Sequence, residues 1–197
     1  MNNELWEKIY KERSKCILYP NENFVSFFYR NFIKKKLKNI NIFEIGCGWG
    51  NNLKFLKQEG YNPIGIDFSQ EAIGHLKKQN YNVFCEDIAK INMEKYHSKF
   101  DLIYACGVLE CNNIINIQKI LLFCNIALKN NGKLYIFSTN NDFYDKVLVP
   151  TPITQEIFLS ALKQNNIKFN DIQIDYLTKT FNNQTQTIKS IEIICTK

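Results

Sequence analysis

Asn41-Ile42-Phe43-Glu44-Ile45-Gly46-Cys47-Gly48-Trp49-Gly50 joins a short apolar run to three alternating glycines. Ile42, Phe43 and Ile45 read as a buried strand, and the glycines end it in a tight turn. Asn51 to Gln58 then reads as a helix with Leu53 and Leu56 turned inward. A strand passing through a glycine turn into a helix is the opening unit of a parallel α/β sheet.

The same alternation continues downstream. Tyr61 to Asp67 is predicted as a second strand, and Ser69 caps a helix running to about Gln79. Tyr81 to Asp87 and Phe100 to Cys106 read as strands three and four. Ile114 to Leu128 reads as a long helix that Asn130-Asn131-Gly132 brings to an end. Gly132 to Thr139 is the fifth strand, and Thr154 opens a further helix. Two last strand-like runs, Phe169 to Leu177 and Thr187 to Cys195, have no helix between them and so should pair as an antiparallel hairpin at one edge. The expected fold is α/β, a doubly wound, mostly parallel seven-stranded sheet with a C-terminal antiparallel hairpin. Upstream, Leu5, Trp6, Ile9 and Tyr10 share one helical face. A second helix is expected from Glu22 to Leu37, capped by Asn21, with Phe24, Val25, Phe28 and Phe32 as its apolar stripe.

The chain has 197 residues, one domain at about 150 residues per domain. Within it, 1–40 reads as a helical cover, 41–137 as the ligand-binding core, 138–154 as a loop forming a substrate lid, and 155–197 as helix and hairpin. Apolar residues are 45% and charged residues 22%, which excludes disorder and coiled coil as descriptions of the chain. No run approaches the roughly 18 apolar residues of a membrane span, and the polar start MNNELWEKIYKERSK is not a signal peptide. The reading is therefore a soluble protein of the cytoplasm, away from membranes. The seven cysteines are scattered without a CxxC pair, and there are two histidines, so neither disulfides nor a metal are expected. The net charge of +6 comes from 23 Lys and 2 Arg, and Arg is the residue for bidentate phosphate and base contacts, so nucleic acid is not the expected partner. The sequence leaves the oligomeric state open.

In an open parallel sheet, ligands bind at the C-terminal ends of the strands. After strand one stand Gly46, Gly48 and Gly50, against which a ligand can lie on bare backbone. The spacing GxGxG, with Asn51 next, departs from the GxGxxG of dinucleotide sites, and no GK[ST] phosphate loop follows. The loop thus favours a nucleoside without a pyrophosphate. Asp67, beside Phe68, closes strand two, where an acid accepts from both ribose hydroxyls. Asp87 and Ile88 follow strand three, where a carboxylate and a backbone N–H can meet an adenine edge. As bland alternatives, Asp67 and Asp87 are helix caps, Cys47 is a small residue packed under the loop, and Trp49 is an exposed loop aromatic.

FEIGCGWG, GIDFS, CEDI, FDLIYACGVLE and NGKLYIF, in this order and with these gaps, resemble the motifs of class I S-adenosylmethionine-dependent methyltransferases over roughly residues 40 to 137. The resemblance implies a Rossmann-like methyltransferase fold and S-adenosyl-L-methionine as cofactor. It implies that Glu44 and the Gly46 to Gly50 turn, including Cys47 and Gly48, hold the methionine part. It places Asp67 at the ribose, Asp87 and Ile88 at the adenine, and a backbone carbonyl near Ala105 or Cys106 at the amino group, with Phe68 among the cofactor-binding residues. WEKIY resembles the N-terminal helix that covers the cofactor in small-molecule members. Many relatives carry a His after the Glu of GVLE, and here Cys111 stands instead. Glu110, or a tyrosine of the N-terminal cover such as Tyr10 or Tyr19, is then the candidate base, unless in-line placement suffices, in which case Glu110 only complements a helix N-terminus. Tyr10, Tyr19, Phe143 and Tyr144 form a candidate acceptor wall, with Glu110 beside it. The leading expectation is O-methylation of a small polar metabolite, a carbohydrate or carbohydrate precursor. The competing readings are an RNA methyltransferase and a non-catalytic module that binds the cofactor.

Overall fold

The computed structural model describes residues 3–12, 19–139, 151–181 and 186–197. Seven strands form one sheet in the order β3-β2-β1-β4-β5-β7-β6. They are β1 (Ile42–Ile45), β2 (Ile64–Asp67), β3 (Asn82–Cys85), β4 (Phe100–Cys106), β5 (Leu128–Thr139), β6 (Asp171–Phe181) and β7 (Gln186–Thr196). β1 to β5 pair in parallel, and β7 runs antiparallel to both β5 and β6. The seven-stranded, mostly parallel expectation and its C-terminal antiparallel hairpin hold. β1 is buried along its whole length, as a central strand covered on both faces must be. The strand order reverses between β1 and β4, and there the ends of the strands open a crevice.

Six α-helices flank the sheet among the described residues: α1 (Asn3–Glu12), α2 (Glu22–Phe28), α3 (Asn51–Gln58), α4 (Gln70–Lys78), α5 (Ile114–Ala127) and α6 (Gln155–Gln164). α5 and α6 cover one face, over a core that includes Phe43, Ile103, Phe123 and Phe158. α2 covers the other, packing Phe24, Phe27 and Phe28 on Leu102, Tyr104 and Tyr135. Phe24 stacks on Tyr104 with ring centroids 4.1 Å apart. Asn21 caps α2, its side-chain oxygen accepting the Phe24 N–H at 2.9 Å.

Two elements differ from expectation. The second helix does not run on as α to Leu37: Tyr29–Ile33 forms a π-helical turn, and Lys36 and Asn39 take positive φ. The inward stripe is Phe24, Phe27, Phe28 and Phe32, with Val25 only half-buried. A turn closed by i to i+5 bonds brings residues five apart onto one face, so Phe27 and Phe32 align, their rings 6.1 Å apart. The long helix α5 ends at Ala127, earlier than its Asn-Asn-Gly signal, because buried Leu128 already pairs with Phe100. The Asn130-Asn131-Gly132 triplet instead forms the irregularity in β5 before Lys133 pairs with Leu102. Among the described residues no helix is long and apolar enough to cross a membrane, and no group of three or more His, Cys, Asp or Glu is placed to hold a metal ion. Of the expected lid loop, 140–150 lies outside the described residues.

Candidate active site

The turn after β1 is built for close approach. Gly46 and Gly48 have φ of 67° and 48°. A Cβ on Gly46 would sit 2.4 Å from Val108 Cγ2, and one on Gly48 would sit 2.8 Å from the Tyr10 hydroxyl oxygen. Bare backbone at both positions lets the β4 end and α1 press on the turn. The N–H groups of Gly46 and Cys47 both donate to the Ile66 carbonyl, at 2.8 and 3.0 Å, tying the turn to β2. Gly50 is the N-cap of α3 and brings no side chain to its first amides.

Asp67, buried at the end of β2, bridges this turn and the next. Its Oδ2 accepts the Gly48 N–H and its Oδ1 the Ser69 N–H, each at 2.9 Å. Each oxygen keeps a second lone pair. Burial raises its carboxyl, the amides of Ser69 and Gly48 oppose the rise, and the Glu7 charge adds to it. Ser69, rather than Asp67, caps α4. Asp87 does act as a cap, accepting the Ala89 N–H at 3.0 Å while Lys90 pairs with its other oxygen at 3.4 Å.

Beneath the turn lies Glu44, only 3% exposed. Its Oε1 accepts from Asn52 Nδ2 at 3.0 Å, and Asn52 Oδ1 accepts the Asn21 N–H at 2.9 Å. Its Oε2 is buried without a hydrogen-bond partner, as are Trp49 Nε1 and the hydroxyl of Tyr104, the residue beside Glu44 in the sheet. Burial pushes the Glu44 carboxyl up to about 8, with the Asn52 bond and the nearby Tyr104 hydroxyl opposing. A buried acid with a free oxygen, in a cradle of bare backbone, suits a cationic ligand and costs free energy until one arrives.

Glu110 follows β4 in a single 3-10 turn and is 1% exposed. Three donors hold it: Ser138 Oγ at 2.8 Å on Oε2, and the Thr139 N–H at 3.0 Å and Thr139 Oγ1 at 3.1 Å on Oε1. Burial raises its carboxyl, against these hydrogen bonds. The Cys111 thiol donates to the Gly107 carbonyl at 3.5 Å, and burial pushes it up to about 12.

α1 lies over the strand ends. Its Glu7 accepts the Gln70 N–H at 2.7 Å and the Ser69 hydroxyl at 3.1 Å, so a carboxylate meets the N-terminus of α4, where the dipole favours it. Tyr10 packs between Trp6 and Trp49, with centroids 6.0 and 5.8 Å away. Under this cover run two adjoining pockets. The first is lined by Ile66, Asp67, Phe68, Glu86, Asp87, Ile88, Val108 and Cys111. The second, of about 500 Å³, is lined by Tyr19, Asn21, Glu44, Cys47, Gly48, Trp49, Asn51, Asn52, Cys106, Glu110, Phe137 and Thr139. Trp6, Tyr10, Gly46 and Gly107 line both.

The structure thus brings the expected residues to one groove, with two exceptions and one outside view. Gly50 lines neither pocket and serves α3, and Ala105 is buried within β4. Tyr144 and Phe143 lie outside the described residues. Tyr19 stands at the mouth, 82% exposed. Sequence reasoning missed Asn52, Glu7 and the Ser138-Thr139 pair. Asn52 left a signal, a polar residue on the buried face that Leu53 and Leu56 define, whereas nothing local marks Glu7.

The fold is the one that S-adenosylmethionine-dependent methyltransferases of known structure share. A family model described as a methyltransferase domain matches residues 43–134, from inside β1 into β5. The ubiquinone biosynthesis O-methyltransferase of Pelagibacter ubique (strain HTCC1062) is 30% identical over 128 residues, covering 63% of this chain and 52% of that protein. The polyketide synthase-like protein Preu9 of Preussia isomera is 29% identical over 53% of this chain and 6% of its own length. The chain therefore spans about half or less of the curated relatives it matches. Among solved structures, a SAM-dependent methyltransferase from Archaeoglobus fulgidus superposes with a TM-score of 0.69 at 17% identity, each chain covered completely at 100%. Phosphoethanolamine N-methyltransferase 2 of Haemonchus contortus gives 0.69 at 15% identity, covering 93% of this chain and 55% of that one. At such identities these two speak for the fold.

Proposed function

We propose that the protein transfers the methyl group of S-adenosylmethionine to a hydroxyl oxygen of a small polar acceptor, a sugar or sugar precursor. The carrying observation is the pair of pockets that meet at Trp6, Tyr10, Gly46 and Gly107. The first, with acids at its strand ends, suits a nucleoside, and the second, which holds Glu44 and Gly48 as well as Glu110, suits the methionine part and an acceptor reaching it from the other side. Bound there, the cofactor supplies an electrophilic methyl group on a sulfonium.

The chain's own residues then do the following. Asp67 accepts the ribose hydroxyls with its two remaining lone pairs, and Asp87 and the Ile88 N–H meet the adenine. Glu44 Oε2 faces the ammonium, helped by a carbonyl near Ala105 or Cys106, and the Gly46 to Gly50 turn bears the methionine chain. Trp6, Trp49 and Phe137 offer apolar faces to an acceptor ring, while Asn21, Asn51 and Tyr19 hydrogen-bond its hydroxyls. Glu110 is held by three donors, which leaves one lone pair of about four to orient the acceptor hydroxyl and take its proton. Cys111, held protonated, does not replace the histidine of relatives as a base. The cover over both pockets excludes water, so placement carries most of the catalysis.

The Pelagibacter relative, by its name an O-methyltransferase, supports oxygen as the target and favours a second reading, a phenolic acceptor. Incubation with methyl-labelled cofactor and a metabolite extract separates the two. Label in a sugar methyl ether supports the first reading and label in an aryl methyl ether the second. Label in RNA, or none in any product, overturns both.

A further inference from the structure

The polar chain beneath the glycine turn runs on past the carboxylate. Asn52 uses both ends of its amide: Nδ2 donates to Glu44 Oε1 at 3.0 Å, and Oδ1 accepts the Asn21 N–H at 2.9 Å. Asn21 in turn caps α2 through its own side chain. An amide has one donor end and one acceptor end, so a single orientation serves both neighbours. That orientation occupies one oxygen of Glu44 and leaves Oε2 buried and unpartnered. Asn21, at the acceptor end of the amide, and Tyr19 line the second pocket, as Glu44 and Asn52 do.

We propose that Asn52 is a positioning residue that selects the Glu44 oxygen offered to the cofactor and ties the Tyr19–Asn21 wall of the acceptor pocket to that same carboxylate. The inference rests on the placement of the cofactor ammonium at Glu44 given above. A cation at Oε2 holds Glu44 ionised. An ionised carboxylate accepts the Asn52 hydrogen bond more strongly, and the polarised amide grips the Asn21 N–H more strongly in turn. Cofactor loading then firms the wall against which the acceptor docks. The other groups facing Glu44 are Asp67 from β2, Cys47 from the turn, Tyr104 and Cys106 from β4, and Tyr10 from α1. Of these the Tyr104 hydroxyl also favours the ionised carboxyl, but Asn52 has the larger such influence and holds the hydrogen bond to Oε1, so it chiefly steadies the carboxylate until the cation arrives.

The test uses S-adenosylhomocysteine, which keeps the ammonium and lacks the sulfonium charge. Calorimetric titration of the full chain across about pH 6 to 9 follows the ionisation of Glu44. A bound ammonium lowers a carboxyl that burial holds up, so binding releases a proton and tightens as pH rises, by at most about tenfold per unit. Asn52→Asp keeps the acceptor for Asn21 and sets a second carboxylate beside Glu44. Its profile should move upward by about one pH unit, with affinity near neutrality about tenfold weaker. Glu44→Gln should flatten the profile. Hydrogen exchange reads the other end: ligand should slow the Asn21 amide in the wild type, while in Asn52→Ala that amide exchanges at least about tenfold faster and ligand no longer slows it. Should Asn52→Ala fail to fold, Asn52→Asp carries the test. Folded Asn52 variants with the wild-type pH profile and unchanged Asn21 protection overturn the proposal. No binding of S-adenosylhomocysteine by the wild type overturns the cofactor placement and this inference together.

Discussion

On the proposed reading Asp67 does two jobs with one carboxylate, and a single substitution tests both. Asp67→Ala removes the ribose acceptors and also orphans the buried N–H groups of Gly48 and Ser69. Affinity for S-adenosylhomocysteine should fall at least tenfold, since hydrogen bonds to a charged group contribute about 1.5–3 kcal/mol. The same variant should melt lower, because each unsatisfied buried donor costs about 1–3 kcal/mol. Unchanged affinity in folded Asp67→Ala, read by calorimetry, would remove Asp67 from the cofactor site. Glu110 is the opposite case, where position was legible and role less so. Its place after the fourth strand puts it in the groove, but the three donors from Ser138 and Thr139 come from β5, far along the chain. Glu110→Gln keeps shape and loses charge. Turnover should fall by about 10²-fold or more, the usual contribution of a placed proton acceptor, with cofactor affinity unchanged. Normal turnover with the true acceptor would leave placement alone to do the work.

At the scale of elements, the glycine turn, the capped helices and the seven strands were readable because each is a local pattern with a local cause. Asn21, Ser69 and Thr154 all cap the helices expected of them. What could not be read is long-range. The π turn of Tyr29–Ile33 exists because Phe27 and Phe32 must share a face against Tyr135 and its neighbours, which no window of sequence contains. The hold of α1 on α4 is likewise tertiary, and it belongs to Glu7. Glu7→Ala should free the N-terminal end of α4 and let the cover loosen. Half-exposed as Glu7 is, screening limits the loss to about 1 kcal/mol, or about fivefold in cofactor affinity. Fluorescence of Trp6 and Trp49, which flank Tyr10, should report the change as a shift in the apo spectrum; an unaltered spectrum and affinity would leave Glu7 a surface pair of no consequence.

For the whole molecule, the order of the strands fixes where a ligand goes, and the turn spacing decides which ligand. S-adenosylmethionine should raise the melting temperature by binding the native state, and NAD should not, for want of a site for its pyrophosphate. A shift with NAD and none with S-adenosylmethionine would overturn the functional reading. The sheet has one more consequence, for synthesis on the ribosome. β7 is made after β6 yet lies inside it, against β5. Residues Lys133 to Thr139 of β5 therefore emerge long before their seven partners, Ser190 to Thr196. Until those arrive, the nascent chain carries an open strand edge on an otherwise pairable parallel half-sheet, the kind of surface that templates association with another chain. A message truncated ahead of residue 186 would release that edge permanently, and its product should be a client of chaperones rather than a smaller enzyme.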